Sequence, residues 1–508
     1  ATGAYAHGHA DNQHQLYTKL INSQLKIDGQ DVVIEDVNTT GETQYQTRVT
    51  GTKGFNDPFN DIAMESDKIT VSEATISGDA THRDKGRTDK PNYQVDNVGL
   101  AMANSLYRWN NTNQSTPVWE KTKKEDSGFY VEKGAVDIYG GSNANPVTGL
   151  LVNYGTIKIG KDSTDKAGLF VDHGNGIMGT DGSVLSLEKG SEIVVNGKYK
   201  AAGLAASSTV TSRAADSAPS GENYGIVGIS TNNVTEHASY GGYRYGNNKV
   251  DIENKNGIIE VDGELATGIY AENVNQSGAA TYYNGSTDNA TAKKSNVNIL
   301  YENQSASQDD AIRVNHGAGG TANTTTQENK NLRGVGIALV EKNKDAAAAN
   351  RGGVITLNTK NNGIGGTADI LTYQNGIGIY GESAEIKFKT DSTGLTVDTG
   401  SDGAGIWVTD DSIISSASDR LGTAKTLNYN YKGYNDKKGF GMIFGSTDPN
   451  NKYGGTTAKN YLDIKFNNNG DTNLTLATEK AQTSPGTINA GQGTTRGIAG
   501  ILVNTDTT

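Results

Sequence analysis

Cysteine is missing altogether from the 508 residues. That excludes a disulfide scaffold and any cysteine-ligated metal site. It also suits a chain that crosses an oxidising compartment before folding beyond it. Proline is scarce, at 7 residues, and charged residues make up only 20%. Hydrophobic residues are 34%, below the roughly 45–50% apolar content, glycine included, of ordinary domains. No apolar run approaches the ~18 residues of a membrane helix. Basic patches able to neutralise a phosphate backbone are also missing, so nucleic acid is not an expected partner. The formal charge is −12, which favours solubility and cationic partners. The chain opens at Ala1 without a signal peptide and ends on Gly497–Val503, which reads as a repeat unit cut off after its strand. The expectation is a mature N-terminal portion of a longer protein.

What the chain does have is glycine, 65 residues of it, and three tyrosines for every phenylalanine (24 against 8). Its apolar residues fall in short alternating runs rather than being diluted throughout, so the low apolar content does not signal disorder. Length alone suggests roughly three or four domains at about 150 residues each. Internal repeats argue otherwise.

A small residue, Gly, then Ile or Leu and a short apolar strand recurs: Val98-Gly99-Leu100-Ala101-Met102, Thr148-Gly149-Leu150, Ala167-Gly168-Leu169-Phe170-Val171, Ala202-Gly203-Leu204 and Tyr224-Gly225-Ile226. It continues through Thr267-Gly268-Ile269, Val335-Gly336-Ile337, Ile377-Gly378-Ile379, Ala404-Gly405-Ile406 and Phe440-Gly441-Met442. A second strand type alternates, as in Gly155-Thr156-Ile157-Lys158-Ile159, Gly190–Val195, Gly257–Val261, Gly353–Leu357, Ala384–Phe388 and Tyr461–Phe466. Period-two alternation puts the aliphatics on one face and Lys, Glu or Thr on the other. Gly, Asn, Asp and Ser clusters bound these strands. Helical spacing is confined to Asn12–Ile21.

The unit is a coil of roughly 20 residues with insertions; no coil buries its apolar face alone, so the coils must stack. The predicted fold is all-β, a right-handed parallel β-helix rod with loop insertions and an N-terminal cap. About 15 to 20 rungs at ~4.8 Å would make a rod of roughly 70–95 Å. Residues 1–130 form the cap or an irregular β-rich tip, with strand-like runs at Gln24–Asp28, Asp31–Val37 and Lys68–Val71; residues 131–508 form the repeat region. A string of β-sandwiches would need linkers between ~100-residue units, and none is seen.

Long polar segments interrupt the strands: Ser207–Asn223, Ser230–Lys249, Asn275–Ser295, Asn303–Leu332, Lys342–Arg351, Ser415–Lys438, Ser446–Asn460 and Thr478–Thr495. They exceed what a tight turn needs. Tyr240, Tyr243, Tyr245, Tyr282, Tyr283, Tyr429, Tyr431 and Tyr434, with Trp109 and Trp119 in the N-terminal part, are the candidate ligand-binding residues. Tyrosine offers a broad amphipathic surface with a polar tip. The bland alternative is that these rings cover the rod and pin its loops.

Chemistry motifs fail on context. Gly376–Gly381 matches a dinucleotide fingerprint, but the alternating strand Ala384–Lys389 stands where a helix is required. Gly155–Lys161 resembles a phosphate loop, with Asp162 in place of the magnesium-binding Ser or Thr. Asp410-Asp411 follows a strand, yet adjacent strand residues point to opposite faces and need a turn to converge for acid/base work. His7, His9 and His14 lie close in sequence, at a chain end of the kind that is usually mobile. No catalytic set, metal site or cofactor is expected.

The Gly-Ile-x-Val/Ala strands, the Gly-x-Ile-x-Ile strands, the Asn-rich turns, the absent cysteine and the Tyr:Phe ratio together resemble passenger domains of type V secreted autotransporters. Asn375–Glu382 and Asn153–Gly160 are similar to repeats of the very large fusobacterial outer-membrane adhesins. The resemblance covers residues 130–508 and rests on repeat style. It implies a β-helical rod exported through a C-terminal membrane barrel and displayed on the bacterial outer surface. It also implies attachment to host cells or other bacteria through a glycan or protein receptor. Two alternatives remain open here: a β-helical polysaccharide-degrading enzyme, and a structural stalk without a ligand.

Overall fold

The computed structural model describes residues 4–7, 20–21, 24–27, 30–38, 45–51, 68–77, 98–103, 107–110, 118–121, 128–139, 146–153, 155–161, 166–171, 173–180, 182–195, 223–231, 236–237, 243–244, 249–263, 266–274, 296–304, 312–315, 334–341, 353–360, 368–372, 376–399, 403–409, 412–416, 421, 426–434, 439–445, 461–464, 473–481 and 499–504. The described residues are all-β. They form a parallel β-helix with three ladders of stacked strands.

The first ladder is an 11-stranded parallel sheet. It runs from Ala4–His7 through Val98–Ala103, Val147–Asn153, Gly174–Thr180, Tyr224–Thr231, Thr267–Val274, Val335–Glu341, Ile377–Glu382, Ala404–Thr409 and Phe440–Gly445 to Ala499–Asn504. The second ladder carries alternating strands such as Thr156–Ile159, Val184–Leu187, Lys249–Lys255, Asn296–Asn303, Gly353–Thr359 and Ala384–Phe388. The third stacks Ala167–Val171, Glu192–Val195, Ile258–Val261, Ile312–Val314, Ile370–Thr372, Gly394–Asp398 and Thr426–Tyr434. Among the described residues, nine complete three-strand coils lie between 98 and 481.

Two expectations change. The coil is longer than about 20 residues: 27 residues separate Gly149 from Gly176, and as many separate Gly378 from Gly405. Each coil spends its length on three strands, so the described residues hold fewer rungs than the roughly 15 to 20 expected. Ala167–Val171 is also not a first-ladder copy. It belongs to the third ladder, and the first-ladder strand of that coil is Gly174–Thr180. Ala202–Leu204 lies outside the described residues.

The recurring glycine has a steric cause. An added Cβ at Gly149 would sit 2.5 Å from the carbonyl oxygen of Gly176, and at Gly176 it would sit 2.4 Å from that of Gly225. The pattern repeats at Gly225, Gly268, Gly336 and Gly378, each against the glycine one coil on. Third-ladder methyls close the other side: Ile312 Cγ2 stands 2.5 Å from the added carbon at Gly268, and Ile370 Cγ2 stands 2.3 Å from that at Gly336. The glycine leaves room for the corner where the third ladder turns into the first. The next residue stacks along the axis: Leu150, Ile177, Ile226, Ile269, Ile337, Ile379 and Ile406 are fully buried in one continuous core. Each buried aliphatic contributes roughly 1.5–3 kcal/mol.

At the N-terminal end the backbone departs from the parallel pattern. Lys68–Ser77 continues the second and third ladders by pairing parallel with Gly128–Tyr139. Leu20–Ile21 and Gln24–Ile27 then pair antiparallel with Lys68–Ser77, and Gln30–Asn38 pairs with Tyr45–Gly51. Leu20–Ile21 is thus strand, where helical spacing predicts helix; the rest of Asn12–Lys19 is outside the described residues. The first ladder reaches back through Val98–Ala103 to Ala4–His7, before the expected boundary at residue 130.

Candidate functional site

The rod interior is closed by aliphatic side chains, so any site must lie on an outer face or a corner. On the third ladder, outward register positions are themselves buried: Phe170 at 1%, Val194 at 2%, Glu260 and Arg313 at 1%. The other two faces and their shared corner remain.

That corner, where the first ladder turns into the second, is short in several coils. Ser383 alone makes it between Glu382 and Ala384, at φ 48°. Ser412 Oγ donates its one proton to the Thr409 carbonyl at 2.5 Å, with the Gly381 carbonyl 3.3 Å away, and accepts from the Ala384 N–H at 3.0 Å, so a side chain replaces missing backbone partners. Elsewhere the same corner carries the insertions. Residues 104–127 join Ala103 to Gly128, 232–248 join Thr231 to Lys249, and 275–295 join Val274 to Asn296. Residues 342–352 and 446–460 join the same two ladders. Five long connections therefore leave from this edge, while three others, 196–223, 315–334 and 482–498, join the third ladder to the first.

Most of the sequence-derived candidates belong to these connections. Tyr107–Asn110 and Val118–Lys121 form an antiparallel pair in which Trp109 and Trp119 are direct cross-strand partners. Glu236–His237 pairs with Tyr243–Arg244, His237 opposite Tyr243. Tyr240, Tyr245, Tyr282 and Tyr283 lie outside the described residues but on the same connections. Tyr434 is a strand residue opposite Ala481.

Tyr429 and Tyr431 are a correction. Both are 0% exposed and part of the core. The expected insertion Ser415–Lys438 contains the third-ladder strand Thr426–Tyr434, so these rings point inward. They fill the space left by Gly405, where an added Cβ would meet the Tyr429 hydroxyl. Tyr429 Oη donates to the Gly441 carbonyl at 2.6 Å and Tyr431 Oη to that of Gly403 at 2.9 Å. Burial drives the Tyr429 hydroxyl pKa up, with Tyr431 adding to it. Asn303–Leu332 likewise contains a core strand, Ile312–Val314, and Thr478–Thr495 overlaps the strand Asn473–Ala481.

Sequence reading missed two features. On the outer face of the first ladder, Tyr224 and Tyr270 lie 4.9 Å apart between ring centroids, and Tyr380 meets Trp407 edge-on at 5.7 Å. Trp407 Nε1 is fixed by the Gly445 carbonyl at 2.7 Å. Their signal was present: each of Tyr270, Tyr380 and Trp407 directly follows a buried Gly-Ile pair, so alternation sends it outward.

The second feature is a groove of about 430 Å³ on the outer face of the second ladder. Asp251 and Glu253 lie toward one end and Lys387 and Lys389 toward the other, over Leu300 and Thr356. Ion pairs lace the face, between coils from Lys158 to Glu188 at 3.1 Å and Lys389 to Glu302 at 3.5 Å, and within the strand Lys249–Lys255 from Lys255 to Glu253 at 2.5 Å and Lys249 to Asp251 at 3.0 Å. Burial pushes the Lys255 pKa down, but the hydrogen bond and charge of Glu253, with Glu188 and Glu302, raise it overall.

Asp410 and Asp411 lie outside the described residues, as do His9 and His14. The dinucleotide-like and phosphate-loop-like patterns are strands, Ile377–Glu382 and Thr156–Ile159. Among the described residues no group of three or more His, Asp or Glu is placed to hold a metal ion. No protein-family model matches the chain, and neither a curated protein nor a solved structure is significantly similar to it.

Proposed function

We propose that this chain is a non-enzymatic adhesin displayed on a bacterial outer surface, binding a glycan or protein receptor on host cells or partner bacteria. The observation that carries this reading is the edge between the first and second ladders. Five long connections emerge there, bearing Trp109, Trp119, Tyr240, Tyr243, Tyr245, Tyr282 and Tyr283. The stacked core holds a constant scaffold, and loops on such a scaffold are free to carry recognition. The surface location and the export route rest on the autotransporter-like repeat style.

The test replaces residues 232–248 or 275–295 with a one- or two-residue corner like Ser383, and Trp109 and Trp119 with Ala. Binding of the purified protein to host and bacterial cells is measured beside its circular dichroism and melting curve. Loss of cell binding with an unchanged melt is expected. Full retention of binding in every variant overturns the reading.

A further inference from the structure

We infer that the groove on the second ladder is a subsite for an acidic glycan, its carboxylate held by Lys387 and its hydroxyls by the polar side chains along the groove. The inference rests on the adhesin reading and narrows the receptor to a sugar chain bearing carboxylates.

The argument begins with Lys387. The other groove lysine, Lys389, has a carboxylate partner in Glu302, and the neighbouring Lys249 and Lys255 have theirs in Asp251 and Glu253. Lys387 is half-buried beside Thr356, its partner in register one coil back, with Ser415 opposite one coil on. Neither is an anion, and Glu385, the carboxylate two residues back on the same outward face, makes no ion pair with Lys387: its Oε1 accepts from Ser415 Oγ at 2.6 Å. A half-buried ammonium with no ion-pair partner among the described residues is the natural seat for a ligand carboxylate, because a charge-assisted hydrogen bond is roughly twice as strong as a neutral one.

The rest of the groove speaks for hydroxyls rather than a second charge. Asn298 Nδ2 donates to Asp251 Oδ1 at 3.1 Å, leaving the amide oxygen and the second carboxylate oxygen as neighbouring acceptors. Two adjacent acceptors match a vicinal diol, which presents two adjacent donors. Thr356 and Thr390 add hydroxyls that both donate and accept. Leu300, between Glu253 and Thr356 in register, gives an apolar floor for the C–H face of a sugar ring. From the coil of Asp251 to that of Lys387 is three rung steps, roughly 14 Å, so the ligand lies along the rod axis as a short oligosaccharide. The volume of about 430 Å³ is within the range of small-molecule sites, roughly 300–1,000 Å³.

The experiment uses the whole chain with a sialylated trisaccharide and an oligouronate as probes, each beside its carboxyl-reduced form, measured by calorimetry. The expected result is binding of a carboxylated probe that falls about tenfold or more on carboxyl reduction or in Lys387→Gln, with recovery in Lys387→Arg. A second variant, Thr356→Tyr, fills the groove at an outward strand position and should also abolish binding without moving the melting curve. Equal affinity for reduced probes, indifference to both variants, or no binding of either probe overturns the proposal. So does Lys387-dependent capture of an acidic peptide in place of the glycans. Cell attachment that survives Lys387→Gln but fails when residues 232–248 are removed would sink this subsite alone and leave the adhesin reading standing.

Discussion

The glycine column at the corner between the third and first ladders makes a steric prediction of unusual sharpness. In Gly268→Ala the new methyl would lie 2.6 Å from the Gly336 carbonyl oxygen and 2.5 Å from Ile312 Cγ2. Neither neighbour has room to yield. The carbonyl belongs to a strand paired on both sides, and Ile312 is fully buried in the core. Overpacking of this kind costs about 1–3 kcal/mol, and the upper half of that range is expected here because backbone itself obstructs the methyl. Gly381→Ala is the matched control. Its added Cβ meets Ala384 Cβ at 3.4 Å and Ile386 Cδ1 at 3.6 Å, ordinary contacts, so its effect should fall within about 1 kcal/mol of zero and lean toward stabilisation through lost freedom of the unfolded chain. Stacked repeats unfold by neighbouring units rather than all at once, so the assay is amide hydrogen exchange resolved by peptide. Gly268→Ala should lower protection across Thr267–Val274, Ile312–Val314 and Val335–Glu341, whereas Gly381→Ala should leave its own coil unchanged. Equal protection in the two variants would refute the steric account of the repeated glycine.

Other outcomes follow from buried polar groups. Tyr429→Phe removes the donor to the Gly441 carbonyl and should destabilise the coils around residues 404–445 by about 1–3 kcal/mol, lowering their exchange protection while cell binding stays intact. Asn315, at φ 56°, both accepts from the Gly263 N–H and donates to its carbonyl, each at 2.7 Å. Asn315→Ala should therefore expose Ile312–Val314 to exchange, and an unchanged rate there would argue against the side chain as the corner's clasp. The Asp369 carboxyl is driven up to about 8 by burial, against hydrogen bonds from the Thr396 N–H at 2.7 Å and Asn303 Nδ2 at 2.8 Å. An unfolded aspartate titrates near ~3.9, so between about pH 4 and 8 the folded chain holds a proton that the unfolded chain has lost. Its contribution to stability is complete below about pH 4 and falls as pH rises toward 8, by at most about 1.4 kcal/mol per pH unit. Asp369→Asn should flatten that slope in denaturant midpoints measured across the window.

The sequence by itself determined that this chain would stack. Alternation in Thr156–Ile159 and Ala384–Phe388 states which side chains face a core, and the Gly-Ile pairs mark a strand that returns once per coil. Local pattern carries this much because facing is a period-two property of neighbouring residues. It does not carry the identity of the neighbour one coil away, which is 27 residues on at Gly149 and 68 at Gly268. That is why Ala167–Val171, a good match to the motif, sits in the third ladder, while Gly174–Thr180 takes the first. It is also why Tyr429 and Tyr431, polar-tipped and set among Asn and Lys, read as surface: only stacking against Gly405 reveals the space that draws them inside. The candidate surfaces show the same division. Long connections were visible as sequence, but only the three-ladder topology gathers five of them on one edge. Only the register sets Lys387 between a threonine and a serine of the neighbouring coils.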